Sequence, residues 1–232
     1  MARENFQQEL NRLVGEVLEL GRDVESCLDT MAYAMENWNA EMVQQEIGID
    51  YRYKQRGAQI DEECIVLQAR QAPVARDLRL VYSVQAVTKH LVRAGTLCEH
   101  ICRAIVETSG YEHDPELALT LFEMAKDARR LFGKGLDIFE DRDIDRAHDL
   151  EADDDKVDLL YSEAMNLVVN PTKAKRGSPE WRIRAALVNH YLERIADHGV
   201  DIGKRTVFLV AGERMESAMR QYRERKLGQD EN

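Results

Sequence analysis

The chain is poor in the residues that interrupt helices or build rigid small folds. Aromatic residues make up 6%, and only four prolines occur, Pro73, Pro115, Pro171 and Pro179. Proline ends helices because it lacks an amide donor and clashes with the preceding turn, so its scarcity leaves long stretches free to stay helical. The four cysteines, Cys27, Cys64, Cys98 and Cys102, form no C-x-x-C pair, and no histidine spacing completes a zinc site with them. Cys98 and Cys102 stand four apart among apolar neighbours. They read as buried free thiols in a reducing cytosol. No apolar run approaches a membrane span, and the opening MARENFQQEL has no apolar signal-peptide core. The expectation is a cytoplasmic protein that reaches a membrane only through a partner. Basic residues are outnumbered, 32 against 43 acidic, for a net charge of −11. Repulsion from phosphate backbones then excludes a general nucleic-acid binder, and direct docking on an anionic membrane is disfavoured. No Gly-rich phosphate loop, G-x-S-x-G or H-E-x-x-H is present. Glu-x-x-His is missing too, which counts against a ferritin-like oxidase; the nearest approach is Asp145-x-x-His148.

What is abundant favours helices: 44% hydrophobic and 32% charged residues, rich in Ala, Leu, Glu and Arg. The period predicts six long helices and an all-α fold. The first runs over about 4–37, with Leu10, Leu13, Val17, Leu20, Val24, Leu28 and Met31 at helical spacing. Asn39 caps a second, about 40–69, and Pro73 opens a third, about 73–108. The break SGYEHDPE precedes a fourth from Pro115 to about Glu140. Asp143 caps a fifth, about 144–169. After NPTKAKRGSP a sixth covers about 179–210. The order is three helices, a break, and three again. Short links favour antiparallel neighbours, so the expected architecture is two three-helix bundles related by an internal repeat, residues 1–110 and 111–212. A charged, partly helical tail follows at 213–232.

The sharpest chemical signal lies in the sixth helix. Glu193, Asp197 and Asp201 are spaced four apart, so they stack on one face and repel. Solvent, basic partners or a hard cation must compensate. The fifth helix adds Glu151, Asp153, Asp154, Asp155 and Asp158, with Asp154 falling inside the apolar stripe of Leu150, Val157, Tyr161, Ala164 and Val168. A carboxylate there is costly unless paired or metal-bound. If the two helices are neighbours, Asp154, Asp158, Glu193 and Asp197 converge. The competing reading is a solvated acidic face paired with Arg194 and nearby lysines. His100 and His198 read as packed helix residues, and Ala72–Arg79 reads as a Pro-led helix start.

The stretch IDEECIVLQARQAPVARDLR (60–79) resembles the central signature of the PhoU family, and LERIADHGVDIGKR (192–205) resembles its second, metal-binding signature. EADDDKVDLLY (151–161) matches the acidic helix before it. The resemblance implies two three-helix bundles about a pseudo-twofold axis in a cytoplasmic protein, commonly a homodimer. It implies a regulator of phosphate homeostasis rather than an enzyme. Such a regulator connects the PstB-type ATPase of the phosphate ABC transporter with the PhoR-type histidine kinase and holds the starvation response off. It further implies a metal at Asp154, Asp158, Glu193, Asp197 and Asp201, with iron, magnesium, manganese and zinc not distinguished. In the first half Val92 and Thr96 stand where the motif carries acids, and Lys54 stands where Asp158 has its counterpart. The first-half metal site is therefore expected to be lost. The same carboxylates leave open a metal-assisted phosphohydrolase or a metal-storage bundle.

Overall fold

The computed structural model describes residues 2–170 and 177–212. Most of the expected 170–179 break and the expected tail beyond Gly212 lie outside the described residues. Six long helices dominate: α1 (Ala2–Asn37), α2 (Asp50–Gln71), α3 (Ala75–Thr108), α4 (Pro115–Asp141), α5 (Leu150–Val169) and α6 (Pro179–Ala211). No strand occurs among the described residues.

Local chemistry sets most of the boundaries. The Asp114 carboxylate accepts the amides of Glu116 and Leu117 ahead of Pro115, and the Ser178 side chain accepts Trp181 N–H ahead of Pro179. Each cap satisfies donors that the first helical turn leaves free, and proline in that turn sacrifices none. Gly212 closes α6 in the left-handed region at φ 77°.

Three expected boundaries are corrected. The second helix does not run unbroken from 40. Asn39 caps a single turn, Ala40–Val43, followed by the 3-10 turn Gln44–Glu46, and α2 begins only at Asp50. Gly48 makes the corner at φ 83°, and its N–H donates to the Glu99 carboxylate on α3 at 3.1 Å. The fifth helix breaks in the same way. Asp143 caps Ile144–Ala147, whose end is tightened by His148 and Asp149 amides bonding three residues back, before α5 starts at Leu150. Pro73 does not sit in the first turn of α3. Right-handed helix is disfavoured for the residue before a proline; Ala72 closes α2 in the left-handed region at φ 41°, its N–H bonding Gln68 O, and Pro73 lies in the link to Ala75.

Packing follows the apolar stripes. α6 lies against α3, α4 and α5, while α1 lies against α2, α3 and α4. The two halves of the chain thus meet through α3/α6 and α1/α4. One continuous apolar core, from Leu10 to Leu209, runs through all six helices. Each fully buried leucine or isoleucine in it contributes about 1.5–3 kcal/mol. Two glycines allow the closest crossing. A Cβ on Gly199 of α6 would lie 2.6 Å from Phe132 Cα of α4, and one on Gly135 would strike the Gly199 carbonyl. At the far end Trp38, buried, donates to Thr108 Oγ1 at 2.8 Å and meets Trp181 edge-on, tying together the ends of α1 and α3 and the start of α6. No described helix is long and apolar enough to cross a membrane.

Candidate functional site, an acidic face between two helices

α5 and α6 pack side by side, fastened by buried Asn189, whose amide donates to Tyr161 O at 3.0 Å. This alignment brings Asp154 and Asp158 opposite Glu193 and Asp197. Asp154 is half-buried, and its carboxyl is pushed up to about 6, first by burial and then by the charges of Asp158 and Asp197. Glu193 is raised by burial and by Asp197, against the pull of His190 and Arg194. Its Oε2 is buried without a hydrogen-bond partner, 3.5 Å from His190 Nδ1. Asp197 is also raised by burial, although Arg194 Nη1 lies 2.8 Å from its Oδ2. The pairing with Arg194 foreseen from sequence therefore exists, and it covers one carboxylate of four.

The rest of the acidic helix divides. Asp153 faces the opposite way, toward Lys134 at 2.9 Å, Lys156 at 3.0 Å and Arg130 at 3.4 Å. Burial works to raise its carboxyl, but these cations overrule it and hold it at about 2. Glu151, Asp155 and Asp158 are exposed.

Asp201 turns toward α3, where its Oδ2 lies 3.6 Å from His90 Nδ1. His90 Nδ1 in turn lies 3.2 Å from His198 Nδ1. Burial, then His90, pushes His198 down to about 4, so the ring is neutral at pH 7. His198 is packed, as its sequence context suggested, but against another imidazole. His90 was not foreseen; its partner is 108 residues away and leaves no local signature.

The donor set of the acidic face suits a hard cation: carboxylates only, with Asp154, Glu193 and Asp197 raised by burial and by neighbouring carboxylates, and one buried oxygen without a hydrogen-bond partner. Among the described residues, two other groups place three ligand-type atoms within 4.8 Å of one another: His90, His198 and Asp201, and Cys27, Cys98 and Cys102. The four acidic residues are more open than that, so a cation held by them would keep water in its shell.

A family model described as the PhoU domain matches residues 17–105 and 121–206. The chain belongs to the PhoU family. It is 26% identical, over 93% of its length and 99% of the relative's, to a phosphate-specific transport system accessory protein PhoU homolog of Clostridium acetobutylicum. The phosphate-specific transport system accessory protein PhoU of Escherichia coli is 27% identical over 90% of this chain and 86% of that one. The crystal structure of the phosphate transport system regulatory protein PhoU from Streptococcus pneumoniae superimposes with a TM-score of 0.81 at 25% identity, over 90% of this chain and 99% of that one. PhoU from Pseudomonas aeruginosa gives 0.81 at 26% identity, over 90% and 100%.

Within this PhoU fold the first half has a different face at the matching positions. Lys54 Nζ lies 2.5 Å from Asp50 Oδ2 and lowers that carboxyl. Val92 packs against Gly57, where a Cβ would meet its Cγ2 at 2.6 Å. Thr96 spends its hydroxyl on Val92 O at 2.9 Å. An ion pair and an apolar contact stand where the second half gathers carboxylates.

Proposed function

We propose that this PhoU protein regulates phosphate uptake and represses the phosphate-starvation response from the cytoplasmic side. It does so as an adaptor between the PstB-type ATPase of the phosphate ABC transporter and a PhoR-type histidine kinase. The observation that carries this reading is the extent of the likeness: the PhoU model matches both halves, and the chain spans 99% of a relative named as an accessory protein of phosphate-specific transport. The names of the relatives are those of accessory and regulatory proteins, which supports a non-enzymatic role.

The mechanism is mass action between partners. A protein that binds both the ATPase and the kinase lets the state of one bias the occupancy of the other. A metal cation at Asp154, Asp158, Glu193 and Asp197, with Asp201 at the edge of the cluster, would neutralise their charge and set the packing of α5 on α6. That packing decides the shape of the second-half surface offered to a partner. The test is direct binding. The purified protein, labelled, is titrated with the purified ATPase and with the cytoplasmic part of the kinase. Saturable binding to both supports the adaptor; failure to bind either removes it.

A further inference from the structure

Three thiols that the acidic face does not use meet in the core of the first half. Cys27 comes from α1, and Cys98 and Cys102 come from successive turns of α3; their exposures are 2%, 0% and 0%. The three Sγ atoms all lie within 4.8 Å of one another, and Cys27 Sγ is 2.9 Å from Cys98 Sγ. That separation is far outside a disulfide bond of about 2.05 Å. Apolar packing and a weak S–H···S hydrogen bond account for one sulfur pair, and a third sulfur from the next turn of α3 converges on the same point.

An acid is placed beside them. Glu46, half-buried on the 3-10 turn between α1 and α2, places its carboxylate beside Cys27.

We propose that Cys27, Cys98 and Cys102 form a thiolate site for one thiophilic divalent cation, zinc being the ion that fits, with Glu46 closing the coordination from the connecting turn. Zinc takes three sulfurs and one carboxylate oxygen tetrahedrally, with Zn–S of about 2.3 Å and sulfurs therefore roughly 3.8 Å apart. The sulfurs, within 4.8 Å of one another with one pair at 2.9 Å, bracket that spacing. Binding displaces the thiol protons into solvent. The ion would tie α1, α3 and the turn carrying Glu46 together, in the half whose acidic positions are replaced by Val92 and Thr96.

The test uses the full-length protein, reduced, metal-free and anaerobic, titrated with Co²⁺. One equivalent should develop a strong thiolate-to-cobalt charge-transfer band in the near ultraviolet, bleached by Zn²⁺. Cys98→Ala should lose the band, while His198→Ala and Asp197→Ala keep it. In case the cysteine variant folds poorly, alkylation of the wild type gives an independent readout. Zn²⁺ should slow modification of Cys27, Cys98 and Cys102 at least tenfold and leave Cys64 unchanged. Three results overturn the site: only the weak absorption of oxygen- or nitrogen-bound cobalt, a sulfur band that survives Cys98→Ala, or equal alkylation of all four cysteines with and without zinc. Air oxidation to a Cys27–Cys98 disulfide, with no cobalt band in the reduced protein, overturns it as well.

Discussion

At the scale of single residues, the acidic face is a store of repulsion. Asp154 titrates at about 6 in the folded protein, against about 3.9 in an unfolded chain. A raised carboxyl pKa means that the fold keeps a proton the unfolded chain has released. The stability it confers is complete below about 3.9 and is lost as pH rises through 6. Metal-free protein should therefore melt lower at pH 7.5 than at pH 5. Asp154→Asn should flatten that dependence and raise the Tm at pH 7.5 by a few degrees, corresponding to about 1 kcal/mol once solvent screening is allowed for. Mg²⁺ or Mn²⁺ should raise the Tm of the wild type and leave Asp154→Asn/Asp197→Asn unmoved. A Tm indifferent to pH, chelator and these substitutions would remove the cation from the account. The stacking of Glu193 and Asp197 was legible in sequence because it depends only on helical spacing. That Asp201 leaves them for His90, and that Cys27 joins Cys98 and Cys102, was not. Those pairings span 111 and 71 residues and are set by how whole helices cross.

At the scale of elements, caps and crossings carry the information. Asn39 and Asp143 were readable as caps, because a cap acts within three residues of itself, whereas Asp114 and Ser178 lay in segments read only as breaks. Asp143→Ala should cost about 1 kcal/mol, measured by denaturant unfolding, since the amides of Asp145 and Arg146 lose their acceptor. The corner at Gly48 and the one after Ala147 escaped the sequence reading because apolar spacing continues through both. The chain turns there to lay α2 and α5 on their neighbours, which is a tertiary requirement. The α4/α6 crossing makes a sharper prediction. Gly199→Ala would drive a methyl group against Phe132 Cα. It should destabilise by about 3 kcal/mol and shift α6, the helix that carries Glu193 and Asp197. Gly15→Ala, in open space, serves as the control and should leave the midpoint unchanged or slightly raised.

At the scale of the whole molecule, six helices in three-plus-three order were evident from periodicity and breaks, and the PhoU likeness joins them to relatives of known fold. The asymmetry between the halves was also visible, because Val92, Thr96 and Lys54 are ordinary letters in extraordinary places only when set against the second half. How the halves meet, through α3/α6 and α1/α4, was not visible, since each of those faces is simply apolar in sequence. What this assembly does in a cell can be read from the alkaline phosphatase secreted by a deletion strain in excess phosphate. Deletion should give high activity, returned to low by the wild-type gene. Activity that stays low in the deletion, in a strain with no second PhoU gene, would rule out the repressive role.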